Sequence, residues 1–241
     1  MTYQIPIINI VNRSTLDMGI SEKDLLDALN EYVSERLATA WCNICHLRYA
    51  EPGEGWELWM VNDADQPDVL GFHDVEKDGL PRGFVSVKDC LRHEEPVSVV
   101  ASHELAEMLN NPSGNLGVFT PRGRWIALEV CDPVERETFL VGNGIPVSDF
   151  VYPAWFGLPG GLDLDHNAEC IAPFEILPGG YIPYFDGRRW NNLFGSQSAR
   201  RLYAEEDRRL HRTERIAKRT AQKGWLDMIA YHAGGGEGAF A

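Results

Sequence analysis

The run "SHELAEMLNNP", residues 102 to 112, places His103, Glu104 and Glu107 within five positions. On an α-helix, positions i and i+4 share a face, about 5–6 Å apart at Cβ, so His103 and Glu107 can point at one atom as two metal ligands. Glu104 sits between them at the rim, where a carboxylate can hold or relay a proton for a metal-bound water. The spacing is that of H-E-x-x-H with glutamate in place of the second histidine. A third ligand is needed for a tightly held ion. The downstream run "ALEVCDPVE" supplies Glu129 and, three residues on, Asp132. His166, in "DLDHNAEC" with Asp163 and Asp165, is a further alternative. A solvated helix face with Glu104 and Glu107 salt-bridged to neighbours would carry the same letters.

The metal-type helix, then "LEVCDPVE", then "SDFVYPAWF" resemble the zincin-like metallopeptidase fold. More closely, over roughly residues 96 to 156, they resemble H-E-x-x-E proteins, many of them encoded by bacteriophages or in bacterial genomes. The resemblance implies His103 and Glu107 as ligands, Glu104 as general base, and Glu129 or Asp132 as third ligand. It also implies a first strand and helix, an antiparallel edge, and then the metal helix. One imidazole with two carboxylates is an oxygen-rich set. One divalent ion is therefore expected, zinc first, with calcium or manganese also suited.

The elements that would position these residues follow from periodicity. "IPIINIVNRS" reads as a buried first strand. "SEKDLLDALNEYVSERLATAW" reads as an amphipathic helix capped by Ser21, with Leu25, Leu26, Leu29, Val33 and Leu37 at helical spacing. "HLRYAE" and "WELWMVND" read as strands separated by a Pro-Gly turn, and "GFVSVKDC" as a short strand offering an edge for an extended substrate. Pro96 suits the first position of the next helix, and Asn110, Asn111 and Pro112 stop it. Residues 113–195, rich in Gly, Pro and aromatics, read as irregular loops and short strands packed by rings. The predicted class is α+β. A zincin-like domain spans 1–195 (sheet and metal helix 1–112, irregular half 113–195), and a basic helical arm with a Gly-rich tail spans 196–241.

The chain of 241 residues carries a net charge of −14, which argues against nucleic acid as partner of the body. Residues 197–223 nevertheless hold nine Lys or Arg against four Asp or Glu. Such a charge asymmetry marks an interacting segment. No apolar run is long enough to cross a bilayer and no signal peptide is visible, so synthesis in a bacterial or host cytoplasm is expected. The five cysteines do not form a secreted disulfide pattern. "CNICH", with Cys42 and Cys45, matches a haem-attachment pattern, but covalent haem is not expected without export. Two functions follow as expectations. One is a phage virion or assembly structural protein built on a metal-binding zincin-like domain, its arm meeting other subunits. The alternative is an active metallopeptidase acting on peptides through Glu104.

Overall fold

The computed structural model describes residues 5–53, 55–64, 69–76, 79–120, 123–142 and 144–197. Its first half is built on a five-stranded sheet in the order β2-β1-β3-β5-β4. The strands are β1 (Ile7–Asn12), β2 (His46–Tyr49), β3 (Trp56–Val61), β4 (Gly71–Val75) and β5 (Pro81–Ser86). Pairings β1–β2, β1–β3 and β3–β5 are parallel, and β4 alone runs antiparallel, at the edge beside β5. The strands at His46 and Trp56 therefore flank β1 and do not form a hairpin across the Pro-Gly turn. The expected edge is also corrected. "GFVS" belongs to β5, inside the sheet, and the edge is the preceding "GFHDV".

Ser21 caps α1 (Glu22–Glu31) by accepting the amide of Asp24 at 3.1 Å. The helix continues through a π-helical turn, Tyr32–Leu37, into α2 (Ala38–Trp41). This run buries Leu25, Leu29, Val33 and Leu37 of the stripe its spacing predicted, leaves Leu26 only half-buried, and adds Tyr32. After α3 (Val87–Arg92) comes α4 (Val97–Asn110), with Pro96 in extended conformation as its cap, one residue earlier than expected.

Apart from His103, every residue of α4 is buried. A helix buried all round must be covered on several sides. The sheet covers it through β4 and β5, α1 packs beside it, and the hairpin β8–β9 (Thr138–Val141, Ile145–Ser148) covers a further side. Small polar residues on α4 satisfy that hairpin. Ser98 Oγ donates to the Pro146 carbonyl at 2.7 Å, and Ser102 Oγ accepts the Ser148 amide at 2.8 Å.

The second half holds more sheet than its composition suggested. Strands β6 (Gly117–Phe119), β7 (Trp125–Ala127), β10 (Tyr181–Phe185) and β11 (Trp190–Phe194) form an antiparallel sheet in the order β11-β10-β7-β6. Rings do pack this half. Phe150 meets Tyr32 edge-on at 5.7 Å, and Trp155 meets Phe156 edge-on at 4.8 Å. Strand β7 stops at Ala127, and Asp132–Val134 form a 3-10 turn. Of the arm and tail, only Ser196 and Gln197 lie within the described residues. The rest of the expected helical arm and tail, 198–241, falls outside them.

Candidate metal centre

Helix α4 presents His103 and Glu107 together, as the i, i+4 spacing requires, and the 3-10 turn after β7 brings Asp132 to them. His103 Nε2 lies 3.4 Å from Glu107 Oε1 and 3.6 Å from Asp132 Oδ1. Burial disfavours the imidazolium, but Glu107 and Asp132 outweigh it. His103 is accordingly held well above its ordinary range. The same carboxylates would attract a divalent cation, which must displace that proton because a ligating imidazole is neutral. Cys131 lies beside this group, its Sγ 3.9 Å from the His103 carbonyl, and burial pushes its thiol far up, so it stays neutral.

Glu104 turns the other way, toward the sheet. Its Oε2 lies 3.4 Å from Nδ1 of His73, on β4, and Glu107 Oε2 lies 3.7 Å from the same nitrogen. Glu104 is 5% exposed, Glu107 2% and His73 1%, so the helix face is not a solvated one. Two glycines make this possible. His73 pairs with Gly83, and Gly71 and Gly83 face α4 without side chains where a Cβ at 71 would meet Glu104. Glu104 is thus roofed by β4 and β5. No described contact brings it to the "FVYPAWFGLPGG" segment.

Asn111 joins the pieces. Its carbonyl accepts from His73 Nε2 at 3.1 Å, and its Nδ2 donates to Glu129 Oε1 at 3.3 Å. Its Oδ1 accepts the Leu116 amide at 2.8 Å. Asn111, at the end of the helix, therefore also orients the centre. Glu129 lies behind His73, with Oε2 3.9 Å from Nε2.

Two groups of donors result, His103/Glu107/Asp132 and His73/Glu104/Glu107, each with its ligand atoms within 4.8 Å of one another. The buried His73/Glu104/Glu107 group could hold a metal ion. Of the residues the sequence nominated, His103, Glu107 and Asp132 meet in one group. Glu104 joins His73 in the other, and Glu129 belongs to neither. His166 is elsewhere, 4.2 Å from the Phe139 ring and hydrogen-bonded to Tyr152 at 3.2 Å between Nδ1 and the hydroxyl. Asp165 closes a turn by accepting the amides of Glu169 and Cys170, each at 2.9 Å. Cys42 is exposed at the left-handed end of α2, and burial pushes the Cys45 thiol up to about 12. Sequence reasoning missed His73 and Asn111. The faint signal was "GFHDV", where a histidine shares a strand face with a glycine.

No family model matches the chain, and neither do the curated proteins or solved structures compared with it.

Proposed function

We propose that this chain is a structural, assembly-type protein whose folded domain is a zincin-like unit held together by a buried divalent metal, and not a working peptidase. The burial of Glu104 beneath β4 carries this reading. A general base must reach a substrate-side water, and Glu104 instead faces His73 in a closed layer between helix and sheet. His103, Glu107 and Asp132 would hold the ion, which would supply positive charge among buried carboxyl groups. Their mixed nitrogen and oxygen donors suit zinc first and manganese second. Calcium, which takes six to eight oxygens, suits them less. The order of strand, helix, antiparallel edge and H-E-x-x-E helix supports the zincin-like part of the proposal. The virion role rests on the basic segment 197–223, which would dock on other subunits after synthesis in a bacterial host. No helix among the described residues is long and apolar enough to cross a membrane.

Active peptidase chemistry is the second reading. It is favoured by β4 being the outer strand, since an extended peptide can add to a sheet edge. Metal analysis of the full chain purified without chelator, beside Asp132→Asn, together with a peptide-hydrolysis assay, separates the two. The structural reading expects bound metal that Asp132→Asn diminishes and no hydrolysis. Metal-dependent hydrolysis that Glu104→Gln abolishes would replace it with the peptidase.

A further inference from the structure

The two donor groups share one residue. Glu107 turns Oε1 toward Nε2 of His103 at 3.4 Å and Oε2 toward Nδ1 of His73 at 3.7 Å. Its two oxygens thus address two imidazoles on opposite sides. We propose that this centre takes two divalent ions bridged by the Glu107 carboxylate, one held by His103 and Asp132, the other by His73 and Glu104. The proposal deepens the metal-binding reading above and rests on it for the His103 ion.

Distances support it. The His–carboxylate separations of 3.4, 3.6, 3.4 and 3.7 Å are long for hydrogen bonds, whose N···O mode is about 2.9–3.0 Å. They are close to the roughly 3.4 Å that separates two ligands each about 2.0–2.1 Å from one tetrahedral ion. His73 adds an independent observation. Its Nε2 lies 3.1 Å from the Asn111 carbonyl, an acceptor, so that nitrogen carries the proton. In the neutral imidazole the lone pair is then on Nδ1, aimed at Glu104 and Glu107. A lone pair facing carboxylate oxygens calls for a proton or a metal cation between them, and the two carboxylates at 3.4 and 3.7 Å offer a divalent ion two oxygen ligands beside this nitrogen. A backbone carbonyl holding the far nitrogen is also how metal-ligating histidines are generally oriented.

The donor inventory agrees. His73, His103, Glu104, Glu107, Glu129 and Asp132 make two imidazoles and four carboxyl groups gathered in one buried region. Helical bundles hold two iron or manganese ions with two imidazoles and four carboxylates, one carboxylate more than the five ligands assigned here. Two divalent ions would balance four carboxylates in charge. Glu129, behind His73, would act through Asn111 and not as a ligand. The ions would tie the edge strand β4 to helix α4, a structural role that fits a closed site.

The test uses the full chain, stripped with chelator, reloaded with manganese(II) and desalted. Metal per chain is measured for the native sequence, His73→Gln and Asp132→Asn, with electron paramagnetic resonance of each. Two manganese per chain with a spin-coupled signal are expected, and either substitution should leave one ion with the resolved hyperfine lines of isolated manganese. One ion in the native chain, kept in His73→Gln and lost in Asp132→Asn, would overturn the second ion and leave the single-metal reading standing. One ion lost in His73→Gln and kept in Asp132→Asn would overturn both the bridge and the His103 centre, as would no bound ion at all. If His73→Gln does not fold by circular dichroism, the near-isosteric Glu104→Gln takes its place. The native stoichiometry and spectrum decide the question in any case.

Discussion

Gly71 and Glu104 are fitted to one another. A Cβ at position 71 would lie 2.8 Å from Glu104 Cγ and 2.7 Å from Val100 Cγ1. The absent side chain is what lets a carboxylate fold back between helix α4 and the edge strand. Gly71→Ala should therefore push β4 away from α4. The expected cost is about 1–3 kcal/mol of overpacking, read as a lowered urea midpoint, together with weaker metal retention. Unchanged stability and metal content would show that the close approach is not needed.

Asp149 makes stability depend on pH. Burial pushes its carboxyl up to about 8, the Phe150 amide partly offsets this, and Asp165 adds to the rise. Between the ordinary value of 3.8 and about 8 the folded chain holds a proton that the unfolded chain has lost. Stability should thus fall as pH rises across that window, by up to about 1.4 kcal/mol per unit for one proton. His103, also raised, adds in the same direction in metal-free protein, where its contribution is complete below pH 6.5 and is lost as pH rises through the folded value. Asp149→Asn retains an acceptor for Phe150 N, which Asp149 Oδ1 now holds at 2.7 Å, but cannot ionise. Its stability relative to the native chain, from urea unfolding, should improve by about 2–3 kcal/mol between pH 5.5 and 7.5. A difference that does not change with pH would remove Asp149 as the source.

The described domain closes before the basic segment. Strand β11 ends at Phe194, and Ser196 Oγ donates to the Pro178 carbonyl at 2.5 Å. A chain ending at Ser196 should melt within about 2 °C of the full chain, a shift worth under about 1 kcal/mol at this size. In the assembly reading it should also be missing from sedimented particles. Co-sedimentation equal to that of the full chain would contradict docking through residues 197–223.

Local signals made much of this legible. Ser21 before "EKDLLDAL" and the apolar spacing of α1 and α4 are short-range patterns, and they placed both helices to within a residue or two. The i, i+4 rule found His103 and Glu107, and chain order suggested Asp132. His73 was hidden because its role depends on β4 pairing antiparallel to β5, a long-range choice that five residues containing a glycine and an aspartate do not advertise. Glu104 was read at the rim because helix geometry alone does not reveal that Gly71 and Gly83 bring the sheet down over it. Glu129 and Asp132 could not be separated by spacing. The turn at Cys131 decides that Asp132 meets His103 while Glu129 faces Asn111.

Metal at Glu107 is the central feature proposed for this domain, and thermal unfolding with and without chelator tests for it most directly. An ion present at about 100 times its dissociation constant adds about 2.7 kcal/mol, or roughly 5–10 °C in Tm for a domain of this size. Chelator should lower the Tm of the native chain by that amount and leave Glu107→Gln unmoved. A native Tm indifferent to chelator and to added zinc or manganese would contradict the metal centre.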